Sequence, residues 1–336
     1  MGVGGTYPHP DRGMPSLAVK RGREIFLFDC GEGSQTSFIA AGLGVNRPLK
    51  IFITHLHGDH VYGLPPLLYT LSLLGRSEPL EIYGPPGLAE FLRTSLLCGG
   101  RGLTYEVKVN EVRLCSTHVI VDSDEYVVRA GPAHHTITSF FYVFEEKPRP
   151  GRFNVEQAEK LGIPPGPLRK RLQKGFSVKL PSGRVVHPWE VLAPPRPGIK
   201  VVYSGDTRPS KVLISAAKMA DVLIHDATFS GDLEADALEK GHSTAKEAGE
   251  VALLSKSKVL FLFHYSQRYK DLSVLLREAR EYHRITYLSK RGQRVTIIKK
   301  DVMLTLLFGS FNKVPRKTHM VAGSASGGSR ATPATG

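Results

Sequence analysis

Five short runs rich in β-branched and aromatic residues each end on a polar cluster: EIFLFDC (24–30), KIFITH (50–55), KVVYSGD (200–206), DVLIHD (221–226) and KVLFLFH (258–264). Runs of this length, bounded by polar residues or glycine, read as buried strands. Helical stretches lie between and after them. LPPLLYTLSLLG places its prolines at the helix entrance, where a missing N–H costs nothing. STAKEAGEVALLSK opens with a capping box from Thr244 to Glu247. DLSVLLREAREYH is amphipathic, with its acidic end first as the helix dipole prefers. The alternation predicts an α/β fold, and it gathers polar residues at C-terminal strand ends, where open α/β sheets place their active sites. No internal repeat interrupts it.

Residues 146–198 break the pattern. They hold ten of the 23 prolines, in phrases such as EEKPRPGRF, GIPPGPLRKRLQKG and LAPPRPG. Such a stretch is expected to bury little, to protrude, and to be partly helical near VEQAEKLG. It is also basic: segment 146–200 carries twelve Lys or Arg against four Glu, within a chain of net charge +14. An excess of this sign and place favours a polyanionic partner. The segment from Ala322, AGSASGGSRATPATG, has the composition of a disordered tail.

No apolar run approaches the roughly 18 residues of a membrane span. The first residues lack a basic segment followed by an apolar one, and the three cysteines form no C-x-x-C pair. Both features point to a reducing, cytoplasmic setting rather than a secreted disulfide framework.

The densest chemistry is ITHLHGDH (53–60), with three histidines and an aspartate in its last six positions. If the strand continues to its end, period two puts His55 and His57 on one side. Asp59 and His60 follow a glycine at the turn into the next helix. Imidazole with carboxylate suits zinc, with manganese or iron as alternatives. A binuclear site needs further ligands, and the candidates are His134 or His135 in AHHTITSFFY, Asp206 in YSGDT and His264 in FLFHYS.

The ordered motifs LFDCGEGSQ, THLHGDH, HHTITSFFYVFEE, VVYSGDT, HDATF, GHSTAKEAG and FLFHYSQRY resemble the metallo-β-lactamase superfamily and, within it, the tRNase Z family. The resemblance runs from about Gly4 to His283. It implies an αββα sandwich with an inserted basic arm. Residues 1–145 and 199–300 would form one catalytic domain, 146–198 a flexible arm, and 301–336 a divergent C-terminal segment. QRVTII within the preceding stretch reads as an edge strand.

The same resemblance implies two Zn²⁺ per subunit, with Mn²⁺ or Fe²⁺ as alternatives. His55, His57 and His135 would hold one; Asp59, His60 and His264 would hold the other; Asp206 would bridge. His135 is preferred to His134 because the family ligand lies seven residues before the tyrosine of the following strand, here Tyr142. Asp29 would orient the ligand loop from behind. The implied reaction is cleavage of the 3′ trailer from precursor tRNA, by attack of a metal-bridging hydroxide on the phosphodiester. It would leave a 3′-hydroxyl on the tRNA and a 5′-phosphomonoester on the trailer.

Asp59 is the candidate acceptor of the water's proton. His242, paired with Asp226, is the candidate donor to the departing oxygen. The family usually has Glu where this chain has Asp226, one methylene shorter. Ser266 and Arg268 are candidates for gripping phosphate. GIPPGPLRKRLQKG resembles the family's RNA-gripping exosite, so Gly166, Pro167, Arg169, Lys170, Arg171 and Lys174 would contact the tRNA backbone. In that family the arm reaches RNA held by the other subunit, which implies a homodimer. Neither a membrane nor DNA is an expected partner. The competing readings are another hydrolase of the superfamily (a small-molecule phosphodiesterase or thioesterase) and a non-catalytic RNA-binding paralogue. His225 has a counterpart in the motif but no derivable role.

Overall fold

The computed structural model describes residues 2–9, 11–97, 102–299, 302–308 and 317–321. Two sheets stack face to face. The first has the order Lys317–Val321, Gln293–Lys299, Val302–Phe308, Leu17–Arg21, Glu24–Phe28, Leu49–Phe52, Leu80–Gly84 and Val107–Glu111. The second runs Thr286–Leu288, Leu260–Phe263, Val222–Asp226, Lys200–Tyr203, Ser139–Glu146, Tyr126–Ala133 and His118–Asp122.

Period two in the strands sorts their side chains into layers. In Glu24–Phe28, Phe26 and Phe28 enter the core between the sheets, while Ile25 and Leu27 join the outer layer. That outer layer packs under the helices Leu64–Leu73 and Leu88–Leu97 through Leu64, Leu67, Leu68, Leu71, Leu88 and Leu92. Aromatic rings hold the two sheets together: Phe26 meets Phe144 at 4.8 Å, and Phe52 meets Tyr142 at 5.4 Å. Helices Ala245–Ser255 and Ser273–Tyr282 cover the second sheet with Ala248, Val251, Ala252, Leu275 and Ala279. The result is the αββα sandwich.

Each sheet contains a run of parallel strands, Glu24–Phe28 to Val107–Glu111 in one and Lys200–Tyr203 to Thr286–Leu288 in the other. Their C-terminal ends point to the same rim. Three of the chain segments leaving them pass through the left-handed region almost at once, at Asp29 (φ 56°), Gly205 (φ 58°) and His264 (φ 62°). For a non-glycine residue such a conformation costs about 1–2 kcal/mol. It persists here because the residues are pinned, as the site shows.

Two expectations are corrected. The run QRVTII is not an edge: Gln293–Lys299 pairs on both sides, with Val302–Phe308 and with Lys317–Val321. The boundary placed at residue 300 therefore falls inside a hairpin. Val302–Phe308 lies beside Leu17–Arg21, with Leu304, Leu306 and Phe308 in the central core. Residues 322–336, expected to be disordered, lie outside the described residues.

The proline-rich arm also buries more than its composition suggests. Ala158, Ile163, Leu172, Val178, Leu180, Val186 and Val191 form a small core of their own. Helices Val155–Lys160, Pro167–Gln173 and Pro188–Val191 and a two-stranded ribbon surround it. Isolated bridges, Arg149 to Arg196 and Phe153 to Leu192, zip its two stems together. The stems run so close that a Cβ on Gly151 would lie 1.6 Å from the Ala193 carbonyl oxygen. At the base, buried Glu146 receives Arg21 at 3.0 Å and the Ile199 N–H at 3.1 Å.

Candidate active site

Strand Leu49–Phe52 ends three residues before His55, so strand alternation does not bring His55 and His57 together. The irregular segment that follows does. His55 presents Nε2 and His57 presents Nδ1, 3.1 Å apart, and His135 Nε2 approaches the same His57 Nδ1 at 3.2 Å. Asp59 and His60 ride on the single-turn helix Gly58–Val61. His264 Nε2 lies 3.3 Å from Asp59 Oδ2. Asp206 Oδ2 faces His55, His60 and His264 at 3.7, 3.3 and 3.3 Å. His134 stays outside the cluster, its backbone N–H donating to Thr207 Oγ1.

Each histidine that presents Nε2 is fixed through its other nitrogen. His55 Nδ1 meets Thr54 Oγ1 at 2.9 Å, and His60 Nδ1 meets Asp29 Oδ2 at 2.8 Å. His135 Nδ1 meets the Gly241 carbonyl at 2.8 Å, and His264 Nδ1 meets Thr228 Oγ1 at 2.9 Å. Such partners set tautomer and orientation. Asp29 is the hub: besides His60 it accepts from the Thr54 N–H at 2.8 Å and the Tyr203 hydroxyl at 2.8 Å. That network holds its left-handed backbone in place.

The donor set fits a metal. Among the described residues, the trios His55–His57–His135, His55–His60–Asp206 and Asp59–His60–His264 each bring their ligand atoms within 4.8 Å. The imidazole nitrogens of His55, His57 and His135 converge at 3.1–3.2 Å, close enough to share a proton as N–H···N bonds or to ligate one cation. His60 Nε2 and Asp206 Oδ1 are buried with no well-directed hydrogen bond, an arrangement native proteins rarely tolerate without an ion or water. Burial pushes His55, His57 and His135 below the usual imidazole range, toward the neutral form that ligates. Burial also opposes charge on His60, yet Asp206, Asp29 and Asp59 together raise it well above that range.

Beside this cluster, His242 Nδ1 lies 2.9 Å from Asp226 Oδ2. Asp226 is fully buried and accepts further from the N–H groups of Thr207 at 3.1 Å and Thr228 at 2.9 Å. The shorter aspartate thus reaches the histidine, because backbone donors draw it in. Burial pulls His242 down, but the carboxylate of Asp226 outweighs it and raises the imidazole to about 9. Arg208 steadies the same loop. It donates to the His242 carbonyl at 2.8 Å and grips Glu247 at the start of helix Ala245–Ser255.

The chain is similar to the ribonuclease Z of Methanothermobacter thermautotrophicus, 43% identical over 286 residues, 85% of this chain and 92% of that protein. The chain belongs to the ribonuclease Z family. Its structure resembles the crystal structure of the short form of human tRNase Z, with TM-score 0.63 and 30% identity over 86% of this chain and 94% of that one. A metallo-β-lactamase fold protein of Bacillus subtilis, 18% identical over 86% of this chain and 93% of that one, shares the fold with TM-score 0.61. A family described as Anti-Pycsar protein Apyc1 matches residues 2–140. As a member of the ribonuclease Z family the chain is a hydrolase, an endoribonuclease, built on the metallo-β-lactamase fold.

The cluster opens into a cleft of about 970 Å³, lined among others by His57, Asp59, Tyr62, Phe229, His242 and Arg268. Arg268 sits over the Phe229 ring at 4.9 Å, and its Nε–H donates to Ser266 Oγ at 3.2 Å. Several contributors carried no sequence signal of their own. The Thr6 N–H donates to Asp59 at 2.9 Å, while Thr54 and Thr228 seat ligand histidines. Only the fold brings the first residues onto both Asp59 and the distant His264. His225 is buried on Val222–Asp226, its Nδ1 against the Asp226 carbonyl at 2.8 Å and its Nε2 unpartnered.

On the arm, Gly166 takes φ 121°, open to glycine, before Pro167 starts the helix Pro167–Gln173. Lys170, Arg171 and Lys174 are exposed. Arg169 is not: its guanidinium turns inward to the Ile163 carbonyl at 2.9 and 3.0 Å, leaving the side chain 13% exposed. Of the four cations it is the one built into the arm itself. No helix among the described residues is long and apolar enough to cross a membrane.

Proposed function

We propose that this chain removes the 3′ trailer from precursor tRNA, leaving a 3′-hydroxyl on the tRNA and a 5′-phosphate on the trailer. The observation that carries the reading is Asp206 Oδ2, which faces nitrogens of both histidine sets within 3.7 Å. His55, His57 and His135 would hold one Zn²⁺, Asp59, His60 and His264 a second, with Asp206 shared; Mn²⁺ or Fe²⁺ suits the same donors. Bound there, the pair would supply Lewis acidity to activate water near neutral pH and to offset charge developing on the phosphoryl oxygens.

The chain's own groups do the rest. Asp59 takes up the proton the attacking water releases. His242, with Nδ1 held by Asp226, keeps its other nitrogen for the leaving 3′-oxygen. A proton delivered there turns a poor alkoxide into an alcohol, a contribution of about 10²–10⁴-fold. Arg268, steadied by Ser266, forks phosphate oxygens at the cleft wall. Lys170, Arg171 and Lys174 meet the sugar–phosphate backbone away from the cut, which positions RNA by shape and charge. The enzyme would act in the cytoplasm as a homodimer, each arm serving RNA bound by the partner.

The test is incubation with a precursor tRNA followed by mapping of both new ends. A 3′-hydroxyl on the tRNA and a 5′-phosphate on the trailer support the reading. Cleavage elsewhere, or opposite end chemistry, would overturn it.

A further inference from the structure

Trp189 is the only tryptophan in the chain, and it stands 72% exposed. It is rigidly mounted. It lies in the single-turn helix Pro188–Val191, whose first residue has its φ locked by the proline ring. Its indole is parallel to the His187 imidazole, with centroids 4.3 Å apart and planes 5° from coincidence. His187 is held in turn: Nδ1 meets Ser177 Oγ at 2.8 Å, and its backbone N–H donates to Glu190 at 2.8 Å. Beneath the helix, Val186 and Val191 are buried in the arm's own core.

Next to the indole is a cavity of about 510 Å³ whose walls include Pro150, Pro188, Pro194, Pro195 and Lys174. Lys174 closes the basic helix Pro167–Gln173, so a flat apolar surface and a cation share one rim. A large aromatic in water, backed by a second ring and flanked by positive charge, has the make-up of a surface that stacks nucleobases. A second copy of this chain is the poorer occupant. It would bring a segment with the same excess of twelve Lys or Arg over four Glu, charge against like charge.

We propose that Trp189, backed by His187, is a stacking platform for a nucleobase of the RNA substrate, a base that ends a stack or stands outside one, with Lys174 taking an adjacent phosphate. The inference rests on the reading of the chain as an RNA-cleaving enzyme with an RNA-gripping arm. It adds a named aromatic contact to a surface that the cations alone would leave as a charge patch.

As the sole tryptophan, Trp189 reports on itself. Intrinsic fluorescence of the metal-loaded enzyme is titrated with tRNA ending at the cleavage site, in parallel with steady-state cleavage of a precursor. The expected result is saturable quenching. Trp189→Ala should raise KM for precursor tRNA by roughly 5- to 150-fold with kcat unchanged, the span of one lost base stack. Trp189→Phe should keep most of the affinity, and hydrolysis of bis(p-nitrophenyl) phosphate should not change in either variant. Unmoved fluorescence with a wild-type KM in Trp189→Ala, while the wild type still cleaves, overturns the stacking role alone. Fluorescence that shifts with enzyme concentration and not with RNA overturns it in favour of self-association. Failure of the wild type to cleave the precursor overturns both readings.

Discussion

Gly5 packs so tightly against His264 that a Cβ on the glycine would lie 2.2 Å from the imidazole. The glycine cannot retreat, because its N–H is tied to the Tyr265 carbonyl at 3.2 Å and neighbouring Val3 accepts the His264 N–H at 3.0 Å. Gly5→Ala must therefore push the ring away from Asp59 and Asp206. Metal affinity should fall about 10–100-fold, the scale of lost ligand orientation, as read by competition with a chelator. An unchanged affinity would mean the N-terminal segment only rests on the site.

His242→Ala should slow cleavage of precursor tRNA by at least about 10²-fold with metal content unchanged. Single-turnover rates beside metal analysis check both halves. Loss of metal in the variant would move His242 from proton donor to ligand.

Asp226 has no room to spare. It is fully buried, and five donors surround it within 3.3 Å: the N–H groups of Thr207, Thr228 and Ser243, the Thr228 hydroxyl, and His242. Asp226→Glu inserts one methylene into that shell, an overpacking cost of about 1–3 kcal/mol. A lowered melting temperature and slower cleavage are expected. A glutamate variant as stable and as fast as the parent would show that the loop can yield.

Removing roughly residues 150–195, between the stems bridged at Arg149 and Arg196, should abolish cleavage of precursor tRNA and spare hydrolysis of bis(p-nitrophenyl) phosphate. In the intact enzyme, tRNA affinity should drop steeply with salt as the arm's cations release counterions. Equal loss of both activities on deletion would make the arm a support for the catalytic core.

The sequence was most legible where chemistry and period coincide. Dense ionisable residues after an apolar strand named the cluster, and the Thr244–Glu247 capping box located its helix. What stayed hidden depends on contacts between distant segments. Nothing local marks Thr6 as a donor to Asp59, or Thr228 as the seat of His264. Strand alternation was the wrong reason for His55 and His57 to meet, since the strand stops at Phe52. Counting prolines missed the arm's core, because its buried residues are spread thinly from Ala158 to Val191. QRVTII looked like an edge because its outer neighbour, Lys317–Val321, lies beyond an unpatterned stretch.

The most direct measurement is metal stoichiometry against activity on one preparation. The purified chain should carry two divalent ions, lose cleavage of precursor tRNA when they are stripped by a chelator, and regain it when Zn²⁺ is restored at two per chain. Full cleavage by protein holding one ion or none would contradict a pair of cations shared through Asp206.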